Sequence, residues 1–144
     1  MDFDINMLAY CGLYCEQCSF KIAEQENNMK HLENAPRALI KSEHIVLSDY
    51  KCECCKGNSI CGACRIKACA STKAINSCAE CTDFPCTHID SFAKDGFPHH
   101  AKAFENLKSI RRYGIDAWAE ELCMELKCSC GGRKTWYYVC SNHC

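Results

Sequence analysis

The sequence has no apolar run approaching the ~20 residues a membrane-spanning helix needs, so it offers no membrane segment. It has no low-complexity tract, no long linker and no internal repeat of fixed period, although cysteine pairs echo loosely along it. Its beginning, Met1-Asp2-Phe3-Asp4, is acidic and lacks the basic and apolar regions of a signal peptide, which reads against secretion. Nor is there an excess of charge of one sign, since the formal net charge is −1. A four-cysteine zinc site adds four thiolates and one divalent cation, so three such sites would take the protein to roughly −7. A chain that acidic is a poor non-specific ligand for phosphates, which reads against nucleic-acid binding. Between Cys52 and Cys86 there is also no apolar run that could build a core. Something other than hydrophobic burial must hold that stretch.

What the chain has instead is cysteine. Seventeen of its 144 residues are cysteine, an odd number that leaves at least one thiol outside any full set of disulfides. In a reducing cytosol, cysteines in this number are metal ligands rather than disulfides. The expectation is a cytoplasmic metal-binding protein.

The spacing sorts the cysteines. Cys52, Cys55, Cys61, Cys64, Cys69, Cys78, Cys81 and Cys86 read C-x2-C-x5-C-x2-C-x4-C-x8-C-x2-C-x4-C, with Cys54 as an extra inside the first pair. A C-x2-C pair supplies two sulfurs from one turn of backbone, and two pairs complete a tetrahedral zinc site with Zn–S near ~2.3 Å. Nearest neighbours give Cys52, Cys55, Cys61 and Cys64 as one set and Cys69, Cys78, Cys81 and Cys86 as another. Interleaved sets fit the spacing too. The tail supplies Cys128, Cys130, Cys140 and Cys144. Closed four-cysteine sites of this kind chiefly hold a fold together.

The first cluster is different. Cys11, Cys15 and Cys18, spaced C-x3-C-x2-C, offer three ligands, and Gly12 can supply a positive φ to their turn. Cys54, Cys123 or a histidine is the candidate fourth ligand; without one the metal keeps an open position, as catalytic metals do. The same spacing suits a four-iron cluster with one uncoordinated iron, as in radical S-adenosylmethionine enzymes, but the chain is too short for their barrel. Thiolates serve iron–sulfur clusters as well as zinc, so an iron–sulfur or open-site metalloenzyme is the alternative to a zinc protein. A thioredoxin-like use of Cys61-Gly62-Ala63-Cys64 lacks the strand and helix it needs. His88 and His143 are alternative ligands by position, and His99 and His100 are expected to face solvent.

Periodicity adds helices around this core. One is expected from Ser19, as N-cap, to about Glu33, and a second from Pro36 through Leu39 and Ile40. A single helical turn is expected near Ala70–Ala74. Pro98 should open a long helix that Gly114 stops. Ile115, Trp118, Ala119, Leu122 and Leu126 give the cleanest amphipathic pattern in the chain. Gly131-Gly132 and the β-prone Thr135–Val139 suggest a hairpin between the two tail cysteine pairs, the build of a zinc ribbon. Arg111, Arg112, Arg133 and Lys134 with Trp136, Tyr137 and Tyr138 could make a basic aromatic face there for nucleic acid. The plainer expectation is that these aromatics pack the tail against the Trp118 helix.

The residues Ala9-Tyr10-Cys11-Gly12-Leu13-Tyr14-Cys15-x-x-Cys18, and Cys78-Ala79-Glu80-Cys81-x-x-Phe84-Pro85-Cys86 further on, resemble the domain-of-unknown-function family 3795. Its members are small cysteine-rich, mostly prokaryotic proteins regarded as zinc binders with no assigned reaction. The family's C-x-G-C pair falls on Cys52 and Cys55, and its next pair on Cys61 and Cys64. Two departures stand out: Cys54 replaces the family's glycine, and the tail opens with C-x-C at Cys128 and Cys130.

The resulting expectation is a small metal-stabilised α+β protein, with helices packed around a loop-rich multi-cysteine metal core and a C-terminal zinc-ribbon-like hairpin. Residues 1–110 form the metal-binding domain and 111–144 a helix with a ribbon-like appendage. Several zinc ions per chain, or an iron–sulfur cluster, are the expected cofactors. The metals are expected to be mainly structural, in a protein that acts by interaction with a protein partner or by regulation.

Overall fold

The computed structural model describes residues 2–40, 43–136 and 140. Five α-helices carry the fold: α1 (Ser19–Glu26), α2 (Arg65–Thr72), α3 (Thr87–Ala93), α4 (Pro98–Tyr113) and α5 (Ile115–Leu126). Short 3₁₀ turns join them. The described residues contain no strand, only two isolated bridges, Leu8 to Tyr14 and Lys127 to Arg133. The protein is therefore small and mostly helical, rather than α+β, over the residues described. No described helix is long and apolar enough to cross a membrane.

The helix pair α4–α5 forms where expected. Pro98 occupies the first turn of α4, where its missing N–H costs nothing. Gly114, at φ +87°, ends α4 and opens α5 in one residue. Trp118, Ala119, Leu122 and Leu126 of α5 bury one stripe against Leu8 and Tyr14. Residues from both ends of the chain thus share one core. Tyr14 sits between Phe3, stacked at 5.1 Å, and Trp118, edge-on at 6.4 Å.

Elsewhere the helices differ from the periodicity. Cys18, not Ser19, is the N-cap of α1, and the helix stops at Glu26 because Asn27 turns left-handed at φ +48°. The rest of the expected span is a 3₁₀ turn, Met29–Leu32. Pro36 introduces only the 3₁₀ turn Arg37–Leu39. The single turn expected near residue 70 is instead the two-turn α2, and Ala74 at φ +54° lies beyond its end. Helix α3 had no periodic signal in the sequence. His99 is buried, 9% exposed, and stacks on Trp136 at 4.8 Å, because the α4 face carrying it turns inward with Ala103 and Leu107.

Two further cores flank the first. Ile66, Ala70, Ala79, Ile89 and Leu107 pack between α2, α3 and α4. Phe20, Ala23, Leu32 and Tyr50 pack around α1, with Phe20 stacked on Tyr50 at 5.0 Å. Cysteines sit inside both, Cys78 in one and Cys18 in the other.

Candidate metal centres

Helix α4 positions the first cysteine cluster. The Cys11-Gly12 turn is closed by Ala9 N–H to Leu13 O (2.8 Å) and Gly12 N–H to Ala9 O (3.0 Å). Gly12 holds φ +95°, and a Cβ there would lie 2.5 Å from the Ala103 carbonyl oxygen and 2.7 Å from Leu107 Cγ. Only glycine lets the turn rest on α4 this closely. The buried Asn106 then donates Nδ2–H to the Gly12 carbonyl at 2.9 Å and accepts Trp118 Nε1–H at 3.3 Å. Both helices of the pair are thereby tied to the turn that carries Cys11.

The same helix reaches a second cluster. Arg111 donates to the carbonyls of Ala79 (3.0 Å) and Cys81 (2.8 Å). Cys78 N–H donates to Tyr10 O at 2.9 Å, linking the turn before Cys11 to the turn that begins at Cys78. Arg111 is exposed, but its guanidinium is occupied by these two carbonyls. Arg133 is occupied too: its guanidinium pairs with the Glu16 carboxylate at 3.0 Å and donates to the Glu16 carbonyl. Lys21 pairs with the same carboxylate at 2.5 Å. These two cations outweigh the burial of Glu16 and hold its carboxyl below the usual range.

Cysteines begin three of the five helices. Cys18 is the N-cap of α1, Cys64 of α2 and Cys86 of α3. Cys64 Sγ also accepts the Lys67 N–H at 3.5 Å. A thiolate at such a position faces unpaired N–H groups and the positive end of the helix dipole.

Cys54 joins the first cluster to the central block. It is fully buried, holds φ +75°, and places its Sγ 3.1 Å from Cys15 Sγ. The thiols of Cys15 and Cys55 donate to it, so Cys54 is the group pulled down toward the thiolate while Cys15 and Cys55 are pushed up. Burial pushes Cys11 up to about 12, with further pressure from Cys64 and Cys61. Burial does the same to Cys18, also to about 12, with Cys61 and Cys52 adding to it. Cys61, although an exposed residue, rises as well, through partial desolvation of its thiol and then its neighbours Cys52, Cys64 and Cys54. Thiols from residues 11–18 and 52–64 thus crowd one region, and a cation placed among them would relieve their mutual repulsion.

Cys69 on α2, Cys78 and Cys81 at the ends of one turn, and Cys86 before α3 line a single cavity. Burial, and then the neighbouring Cys86, Cys81 and Cys69, raise Cys78 to about 12. Cys81 goes the other way: the Asp83 N–H and the Lys73 ammonium, 3.2 Å from its sulfur, favour its thiolate.

In the tail, the sulfurs of Cys128, Cys130 and Cys140 all lie within 4.8 Å of one another. Cys130 and Cys140 are 3.3 Å apart. The turn is made by Gly131 at φ +85°, with Cys128 N–H donating to Gly132 O at 3.0 Å. Trp136 N–H donates to Gln17 O at 3.3 Å, which docks the tail beside the first cluster. Trp136 stacks on His99 of α4 and packs against the core that holds Phe20 and Tyr50. Cys144, His143, Tyr137, Tyr138 and Val139 lie outside the described residues. No disulfide is formed among the described cysteines.

Sequence reasoning missed Asn106 as the tie to Gly12 and Arg111 as the clamp on the second cluster. Neither had a signal, because each acts through a backbone carbonyl distant in sequence. No curated protein and no solved structure matches the chain. A family match covers residues 7–91, from the first cluster through most of α3, and leaves α4, α5 and the tail beyond it. The chain belongs to the family described as Protein of unknown function (DUF3795).

Proposed function

We propose that this is a cytoplasmic multi-site metal-binding protein whose tail takes zinc, whose metals are mainly structural, and which acts through a protein partner. The observation that carries the reading is the convergence of Cys128, Cys130 and Cys140 within 4.8 Å. That is the compact all-thiolate arrangement a tetrahedral zinc ion accepts, and the Lys127–Arg133 bridge supports a ribbon-like turn around it. A structural role is supported by the cysteine N-caps of α1, α2 and α3, since a metal on those sulfurs would fix where the helices start. The 3.1 Å approach of Cys54 to Cys15 favours a first cluster closed by protein sulfur over an open, reactive metal. The hydrogen bonds that occupy Arg111 and Arg133 weigh against a basic face for nucleic acid.

The test is the metal content of the full chain purified without added metal, beside that of a Cys128→Ser/Cys130→Ser variant. Zinc in the wild type, reduced by one ion in the variant with other metals retained, supports the reading. Wild-type protein that carries no zinc contradicts it.

A further inference from the structure

Two groups of cysteines differ in spacing. A single tetrahedral ion with metal–sulfur bonds of ~2.3 Å holds its ligands about 3.8 Å apart. The three tail sulfurs approach that spacing. Cys69, Cys78, Cys81 and Cys86 do not: no three of their sulfurs come within 4.8 Å of one another, which holds for the described cysteines of residues 11–64 as well, but these four also line one cavity, of about 260 Å³. An iron–sulfur cluster asks for this second arrangement. Each thiolate then binds a different iron, and inorganic sulfide fills the space between them, so the cysteines stand around a volume instead of a point.

The walls suit such an occupant. Ile66, Ala70 and Ile89 are buried against the cavity and Phe84 lines it, giving an apolar wall, while the exposed Lys73, Asp83, Thr87 and His88 complete its open side. Lys73 Nζ lies 3.2 Å from Cys81 Sγ and 2.7 Å from Asp83 Oδ2, so an N–H···S bond is in place on one ligand. Hydrogen bonds of this kind to the sulfurs, with the local charge, set a cluster's potential. Arg111, held on the Ala79 and Cys81 carbonyls, brings a second cation to the same turn.

We propose that this cavity seats a four-iron, four-sulfide cluster ligated by Cys69, Cys78, Cys81 and Cys86. The inference deepens the metal-binding reading and rests on it for thiolate ligation, but not for zinc in the tail.

The test is anaerobic purification of the full chain, with iron, acid-labile sulfide and zinc counted and a Mössbauer spectrum recorded. About four iron and four sulfide per chain are expected. A Cys78→Ser/Cys81→Ser variant should lose the iron and sulfide while keeping tail zinc, which also reports that it has folded. The Cys128→Ser/Cys130→Ser variant should keep its iron and sulfide. Lys73→Met should retain the iron and shift the reduction potential to a more negative value; an unchanged potential would contradict a cluster on Cys81. Protein that holds zinc but no labile sulfide, even after incubation with ferrous iron and sulfide, overturns the cluster and leaves the metal reading standing. Protein that holds neither overturns both.

Discussion

Asn106 in the middle of α4 donates its side-chain amide to the backbone carbonyl of Gly12, 94 residues earlier, at 2.9 Å. It also accepts the Trp118 indole N–H, so one buried amide sets both helices against the turn that carries Cys11. Replacing Asn106 by Ala leaves a buried carbonyl and a buried indole N–H without these partners. At about 1–3 kcal/mol for each orphaned group, a loss of about 2 kcal/mol or more is expected from urea denaturation of the metal-loaded protein. Wild-type stability in Asn106→Ala would show that the tie is not structural.

The partner in that contact predicts a sharper effect. Gly12→Ala puts a Cβ 2.5 Å from the Ala103 carbonyl oxygen at a φ of +95°. Backbone strain and overpacking add, so the turn must lift from α4 at about 2 kcal/mol or more. The same denaturation experiment measures it. A Gly12→Ala protein as stable as wild type would mean that the turn does not rest on the helix.

Cys54 combines a sulfur contact with a backbone conformation that suits glycine, φ +75°. Cys54→Gly and Cys54→Ala both remove the sulfur but differ in strain. In metal-loaded, reduced protein, Cys54→Gly should be more stable than Cys54→Ala by about 1 kcal/mol. Both should bind less metal than wild type. Equal stability of the two variants would refute the strain, and unaltered metal content would remove Cys54 from the ligand set.

The fold's legibility followed its chemistry. Helices α4 and α5 could be read because Pro98, Gly114 and the Trp118–Leu126 stripe obey helical rules that need no metal. Helix α3 could not, since its boundary is set by Cys86 and its seven residues bury only Ile89. The expected helix after Pro36 failed for a related reason: Leu39 and Ile40 pack as single side chains near Phe20 and Tyr50, without a stripe to extend. At the sites, spacing marked the cysteines as candidate ligands and offered Cys54, beside Cys123 or a histidine, as a fourth partner for the first cluster, but did not choose between them; the 3.1 Å approach of Cys54 to Cys15 across 39 residues does. That approach is made by tertiary packing, which sequence spacing does not encode.

A pH dependence follows from His99. Burial, and then the charge of His100 beside it, lower its imidazole from 6.5 to about 4, against the opposing pull of Asp95. The folded state therefore holds it neutral while the unfolded chain takes up a proton. Its contribution to stability is present above about pH 6.5 and is lost as pH falls toward 4. His99→Phe keeps a ring to stack on Trp136 and removes the titration. The stability difference between wild type and His99→Phe should move against wild type as pH drops through this window. Because metal release on acidification affects both proteins, the difference isolates His99. A difference that does not change with pH would contradict a buried neutral imidazole.

The central claim is that metals hold this fold, and native mass spectrometry of the full chain tests it most directly. The prediction is a compact charge-state distribution whose mass exceeds that of the polypeptide by more than one bound metal. Chelation should convert it to an extended distribution at the bare mass. Compact protein at the bare polypeptide mass, with every thiol reduced, would contradict the account.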